Sequence, residues 1–344
     1  MRVLVTGNNG YIGSMLTGIL LECDYDVVGL DTNYYAGSEL YPRGYEIKQI
    51  NKDIRDIKKE DLKDIDAVIH LAALSNDPLG ELAPGITEEI NRDATIALAK
   101  LAKAAGVKRF IYSSSQSMYG VSDTSHELKE EEAGPYGTTA YAKTKWDAEE
   151  NLKKLNDENF SVVCFRPSTV FGASPSLRCD IVYNNLVACA FTTGKIEIKT
   201  DGTPWRPVVH IKDVSEAFIA GLEAPLKLVA GESFNVGIPN GNFTVRDLAE
   251  AAQRAVPGST LTFTGEFNND QRTYRVSFEK ILTTLKDYYK PEWDLDRGGK
   301  ELVEFFKKNN FTEKDFRGKR TNRLKQINYL LENKKLDEGL RWRK

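Results

Sequence analysis

Tyr141 and Lys145 stand four residues apart in Tyr141-Ala142-Lys143-Thr144-Lys145, and upstream Ser115 closes the run Ser113-Ser114-Ser115. Near the start of the chain runs Thr6-Gly7-Asn8-Asn9-Gly10-Tyr11-Ile12-Gly13. Residues at i and i+4 share a helix face, so the Lys145 ammonium can sit beneath the Tyr141 hydroxyl. A free tyrosine hydroxyl ionises near pH ~10 and is a poor base at neutrality, but a cation beside it favours the phenolate. Ser115 can hydrogen-bond the same substrate oxygen and steady the charge that develops there. Tyr141, Lys145 and Ser115 are therefore the catalytic candidates, equipped to move a proton while a bound nicotinamide moves a hydride. Tyr141 and Lys145 alone would read as an amphipathic helix surface. The upstream serine and glycine turn, in that order, change the reading.

A glycine-rich turn that follows a strand and opens a helix places dinucleotide phosphates on free backbone N–H groups at the helix N-terminus. Gly7, Gly10 and Gly13 are expected to form the turn, with Tyr11 and Ile12 beginning the helix. The spacing Gly-x-x-Gly-x-x-Gly is one residue longer than the common dinucleotide fingerprint. Asp31 ends the expected second strand, about 20 residues on, where an acid binds the adenosine ribose. Its carboxylate would repel a 2′-phosphate, which favours NAD over NADP. Asp53 and Ile54 follow the third strand and are candidate adenine contacts.

These residues need a frame. Short apolar runs at Arg2–Thr6, Val27–Leu30, Glu46–Ile50, Ala67–Leu71, Arg109–Ser113 and Ser161–Phe165 alternate with helical stretches, the pattern of a parallel sheet covered on both faces. Apolar residues recur at helical spacing from Ile86 to Ala105, with Gly106 as the stop. Thr139–Leu155 reads as the helix carrying Tyr141 and Lys145. After Gly172 the pattern changes to a helix around Ile181–Ala190, a strand at Lys195–Lys199, a helix over Phe243–Val256 and a charged, mostly helical stretch from Glu301 to Leu340. The fold expected is α/β, a Rossmann-type doubly wound parallel sheet with a smaller mixed α/β lobe. Residues 1–172 would form the dinucleotide-binding domain, with a return near 207–224, and 173–344 the substrate lobe with a helical extension. Tyr34–Tyr45, Ser75–Gly85 and Ser122–Thr138 read as loops long enough to be functional.

At 344 residues the chain is long for a single core. With 41% hydrophobic and 28% charged residues it has an ordinary soluble composition, and a net charge of −3 gives no pull toward nucleic acid or anionic membrane. No apolar run approaches the ~20 residues that cross a bilayer. The four cysteines, Cys23, Cys164, Cys179 and Cys189, have neither metal-ligand nor disulfide-framework spacing. A reduced, cytoplasmic protein without a metal is expected.

The glycine turn, His70–Ala73, Asn91 before Thr95, Arg109–Ser115, Tyr119-Gly120, Tyr141-x-x-x-Lys145, Arg166–Gly172, Asn184–Leu186 and Trp205–Asp213 together resemble the extended short-chain dehydrogenase/reductase family, and within it the nucleotide-sugar epimerases and dehydratases. The resemblance covers nearly the whole chain. It implies bound NAD, a nucleoside-diphosphate sugar as substrate and a homodimer formed through the helices of Asn91 and Tyr141. It implies that Leu71, Ala72, Ala73 and Asn91 line the cofactor. Ser75, Ser115, Gln116, Thr169, Asn185 and Leu186 would meet the sugar nucleotide, and Arg206 and Arg272 its diphosphate.

One departure narrows the reaction. Family members that perform 4,6-dehydration carry an Asp-Glu pair after the residue matching Ser115, and decarboxylating members keep the Glu. Here those positions are Gln116 and Ser117, neither able to act as a carboxylate acid or base. C4 epimerisation is the expected reaction. A second departure, Thr169 where hexose 4-epimerases often carry Asn, leaves the sugar open. The alternatives are a reductase of a 4-keto-6-deoxy sugar nucleotide and a non-catalytic NAD-sensing protein, which would have no need of the three catalytic candidates.

Overall fold

The computed structural model describes residues 1–122, 124–266 and 273–343. Its strands are β1 (Arg2–Thr6), β2 (Asp26–Asp31), β3 (Lys48–Asn51), β4 (Ala67–His70), β5 (Arg109–Ser113), β6 (Ser161–Pro167), β7 (Thr169–Phe171), β8 (Lys195–Ile198), β9 (Trp205–His210), β10 (Ser233–Val236), β11 (Asn242–Thr244) and β12 (Thr260–Phe263). Seven form one parallel sheet in the order β10-β6-β5-β4-β1-β2-β3. The central strands are apolar throughout because helices cover both faces, and Val3, Leu4 and Val5 are fully buried. The six strands expected from the sequence lie within two residues of their observed ends. β7, β9 and β11 form a small mixed sheet, and β8 pairs with β12.

From β1 the chain winds outward through β2 and β3, then restarts on the other side of β1 with β4. That reversal opens a crevice beyond the carboxyl ends of β1 and β4, where doubly wound sheets bind ligands. Thr6 pairs with His70, so Gly7 and Leu71 leave the sheet side by side. Gly7 has φ +72°, and a Cβ there would lie 2.8 Å from the Ala72 nitrogen. A Cβ on Gly13 would lie 2.1 Å from the Gly7 carbonyl oxygen. The two glycines are thus required by backbone conformation and by close helix–turn approach.

The chain's return to the sheet runs further than 224. The helix Ile211–Glu223 buries Val214 and Phe218 in the same cluster as Val3, Val5 and Ile69, and β10 then adds the seventh strand. β10 is four residues long and wholly buried, too short to show a period in sequence. The C-terminal stretch, grouped from sequence with the second lobe, also packs on the first. Ile327, Leu330, Leu336 and Leu340 share a cluster with Leu4, Val28 and Val68. The second lobe has its own core of Tyr183, Val187, Leu248, Leu302 and Phe306.

Other elements differ in detail. The expected helix over Ile86–Ala105 begins at Pro84 and passes through a π-helical stretch, Glu89–Asp93, before Ala94–Ala105. The helix expected from Phe243 starts at Val245, because Thr244 and Asp247 close a capping box there. Beyond Glu332 none of the described residues is helical. A short helix, Asp77–Gly80, and a single 3-10 turn, Glu130–Glu132, interrupt two of the expected loops.

Candidate active site

A cavity of about 700 Å³ lies over the switch point. Gly7, Gly10, Tyr11, Ile12 and Gly13 form one wall, Asp31, Asp53 and Ile54 its far end, and Leu71, Ala72, Ala73 and Ser75 another side. Ser115, Tyr141 and Lys145 line the same cavity, as do Thr169, Asn185, Leu186 and Arg206 from the second half of the chain. Tertiary folding therefore gathers nearly all the sequence candidates around one space.

Two of the described candidates do not join them. Asn91 is fully buried behind the cavity wall, where its side chain accepts from the Leu74 N–H at 2.8 Å and donates to the Leu74 carbonyl at 3.0 Å. It holds the 71–75 loop that faces the cavity. Gln116 turns inward, donating to the Arg166 carbonyl at 3.0 Å and accepting from Ser168 Oγ at 3.1 Å. The carbonyls of Arg166 and Val236 and the Ser168 hydroxyl take up its amide, so its side chain sits in the core. Arg272 lies outside the described residues.

The helix Ala140–Lys153 presents Tyr141 and Lys145 to the cavity, and Thr139 caps it by accepting from the Ala142 N–H at 3.2 Å. Glu149, one further turn along the same face, is completely buried and locks the helix to the sheet. It pairs with Arg166 Nη2 at 2.5 Å and accepts from Ser114 Oγ at 2.5 Å and Ser233 Oγ at 2.7 Å. Burial raises its pKa, but Arg166 and its other partners outweigh that and hold it down to about 2. The sequence carried a signal for it: Tyr141, Lys145 and Glu149 recur every fourth residue.

Lys145 is buried, with Nζ donating to the Ser113 carbonyl at 2.6 Å and lying 5.8 Å from the Tyr141 ring centre. Burial pulls its pKa down to about 7, against the smaller upward pull of Glu149. Tyr141 is pushed up to about 12 by burial, with a hydrogen bond to Ser115 and the charge of Arg178 acting in the other direction. The expectation that Lys145 holds Tyr141 below its ordinary value is thus not met, because burial outweighs the groups that lower it. Desolvation of the phenolate dominates until further positive charge arrives.

At the opposite end, the Asp31 carboxylate accepts from the Asn9 N–H at 3.0 Å and the Asn33 N–H at 2.7 Å. Burial nevertheless raises its pKa. Asp53 is drawn to Arg55 at 2.7 Å, which fixes the turn that carries Ile54. Tyr11 donates to the Gly172 carbonyl at 2.8 Å, tying the glycine turn to the end of β7.

Residues 3–237 match the model of the NAD dependent epimerase/dehydratase family. The chain belongs to this family. The UDP-glucose 4-epimerase of Bacillus subtilis (strain 168) is 30% identical over 280 residues, spanning 74% of this chain and 82% of that enzyme. The mouse dTDP-D-glucose 4,6-dehydratase is 29% identical over 328 residues, 90% of this chain and 89% of that one. Among solved structures, the Bacillus cereus UDP-glucuronic acid 4-epimerase, in complex with UDP-glucuronic acid and NAD, is similar with a TM-score of 0.74 and 25% identity, covering 90% of this chain and 99% of that one.

NAD is the cofactor of this family, and the residues present fit it. The helix Tyr11–Glu22 begins at Gly10 with no side chain capping it, leaving its first N–H groups for an anion. Two buried guanidinium nitrogens on the cavity, Arg178 Nη2 and Arg323 Nη1, have no hydrogen-bond partner. Neither arginine was singled out from sequence. Arg178 pairs with Asp180 at 2.8 Å and donates to Ser75 Oγ at 3.0 Å, between elements more than a hundred residues apart. Among the described residues no cluster of His, Cys, Asp or Glu could hold a metal ion, and no helix is long and apolar enough to cross a membrane.

Proposed function

We propose that this protein epimerises a nucleoside-diphosphate sugar at C4 through a transient 4-keto sugar, and acts as a homodimer. The observation that carries the reading is that Tyr141 and Ser115 line one cofactor cavity, with Ser115 followed in sequence by Gln116 and Ser117 instead of two carboxylates. Gln116 is committed to core carbonyls, so the position offers no acid or base for removing water at a second carbon. The relatives include epimerases and a dehydratase alike, so this local chemistry, not overall likeness, favours epimerisation.

Tyr141 Oη would accept the C4 hydroxyl proton as the carbinol is oxidised and return it after the keto sugar has turned over in the cavity. Ser115 Oγ would hold the same oxygen. Its own position is set by the Ser117 N–H and hydroxyl, which donate to it at 3.1 and 2.9 Å. Lys145, held by the Ser113 carbonyl, would supply positive charge beneath the phenol. Bound NAD would supply the hydride acceptor and donor, and its oxidised ring would add positive charge beside the phenol. Lowering a pKa from about 12 to about 7 requires roughly 7 kcal/mol of differential stabilisation of the phenolate. Thr169, Asn185, Leu186 and Arg206 would hold the sugar nucleotide.

The test is turnover of a panel of nucleotide sugars followed by anomeric proton signals. Tyr141→Phe should lose more than nine-tenths of turnover while keeping its dinucleotide; retention of more than a tenth refutes the mechanism. Absorbance of the reduced nicotinamide should not change during wild-type turnover. Its stoichiometric loss would replace epimerisation with reduction of a keto sugar.

A further inference from the structure

We infer that Arg323, supplied by the C-terminal helix, binds the diphosphate of the dinucleotide opposite the glycine turn. The side chain is 2% exposed and lines the cofactor cavity. One guanidinium nitrogen, Nη2, donates to the Ser176 carbonyl at 2.6 Å, while Nη1 is buried with no partner. The guanidinium lies flat enough to sit 4.2 Å from the Tyr35 ring centre, and no carboxylate forms an ion pair with it among the described residues. Asp180, the nearest candidate, is taken by Arg178 and meets Arg323 only through its backbone N–H, at 3.1 Å.

A buried guanidinium without a paired anion is costly, and a fork of N–H donors suits phosphate oxygens. Its location says which anion. Ser176, which holds Nη2, itself donates through Oγ to the Asn9 carbonyl at 2.9 Å, inside the glycine turn. Asp31, whose carboxylate accepts from the Asn9 N–H, is among the charges that Arg323 feels. The guanidinium therefore faces the turn and the uncapped helix start that take the diphosphate. The helix Arg323–Glu332 is held in place by Gln326, which donates to the Tyr34 carbonyl at 3.0 Å. Beyond it, the Trp342 indole donates to the Thr32 carbonyl at 2.6 Å, and the Tyr34 hydroxyl bonds the Leu340 carbonyl. The C-terminal segment is thereby anchored to the loop after β2 and brings Arg323 to the wall of the cofactor site. The inference is independent of which sugar reaction the enzyme performs.

The experiment is calorimetric titration of dinucleotide-free wild type, Arg323→Met and Arg323→Lys with ADP-ribose, adenosine and UDP, together with the fraction of NAD that co-purifies. ADP-ribose affinity should fall at least tenfold in Arg323→Met, with less NAD retained, while adenosine and UDP bind as to wild type. Arg323→Lys, which keeps the charge but loses the fork, should fall between the two. Unchanged ADP-ribose binding overturns the inference. So does an equal loss for adenosine, which would mean that Arg323 only supports the fold, or a loss confined to UDP, which would assign the arginine to the sugar nucleotide's diphosphate. If Arg323→Met does not fold, Arg323→Lys decides alone: a several-fold loss selective for ADP-ribose sustains the inference, and no selective loss refutes it.

Discussion

Lys145 should destabilise the folded protein, and Lys145→Met should show by how much. The folded pKa of Lys145 is about 7 against an ordinary 10.5, with burial as the main cause. Between those values the unfolded chain holds a proton that the folded chain has released, so stability rises with pH across this window. Relative to a neutral side chain, the linkage costs about 5 kcal/mol at pH 6 and about 2 kcal/mol at pH 9. Wild type should therefore gain roughly 3 kcal/mol from this residue between pH 6 and pH 9, a gain absent in Lys145→Met. Losing the bond to the Ser113 carbonyl costs the variant about 1–3 kcal/mol, but that loss does not depend on pH. Asp213, raised to about 7 by burial, titrates in both proteins and cancels. Urea midpoints of dinucleotide-free protein at the two pH values give the comparison, provided that the slopes match. Parallel pH dependences in the two proteins would refute the claim that desolvation governs this site. The variant should also lose turnover, so a more stable protein at pH 6 would be an inactive one.

Two further substitutions probe the frame. Glu149→Gln leaves the Arg166 guanidinium buried beside a neutral amide, and should cost about 3–5 kcal/mol in urea unfolding at pH 7. Because the folded pKa of Glu149 is depressed, its contribution is complete above about 4.5 and is lost as pH falls toward 2, so the variant's acid limb should be shallower than that of wild type. Asp31→Asn removes the charge that repels a 2′-phosphate, and should improve the ratio of NADP to NAD affinity at least tenfold in parallel titrations; an unchanged ratio would show that discrimination lies elsewhere.

Legibility in the sequence followed the range of the interactions. The glycine turn, Asp31 and the Tyr141–Lys145 pair were readable because each depends on local spacing: a turn before a helix, an acid at a strand end, one helical turn between two side chains. Six strands were readable because each is a continuous apolar run. β10 was not, since four buried residues show no period, and its place beside β6 depends on a pairing with residues some seventy positions earlier. Gln116 was misplaced for a related reason. Its sequence neighbours Ser115 and Ser117 line the cavity, but the carbonyl of Arg166 and the hydroxyl of Ser168 decide where its amide points.

By itself the sequence determined a doubly wound dinucleotide fold and the placing of Tyr141 and Lys145 on one helix face, because backbone conformation and helical repeat are local properties. Only the tertiary structure decided the electrostatics. Arg178 and Arg323 reach the cavity from segments far along the chain, and the burial that raises Tyr141 and lowers Lys145 is produced by everything packed around them. Charge energies depend on the surrounding dielectric and on neighbours distant in sequence, and neither exists until the chain has closed on itself.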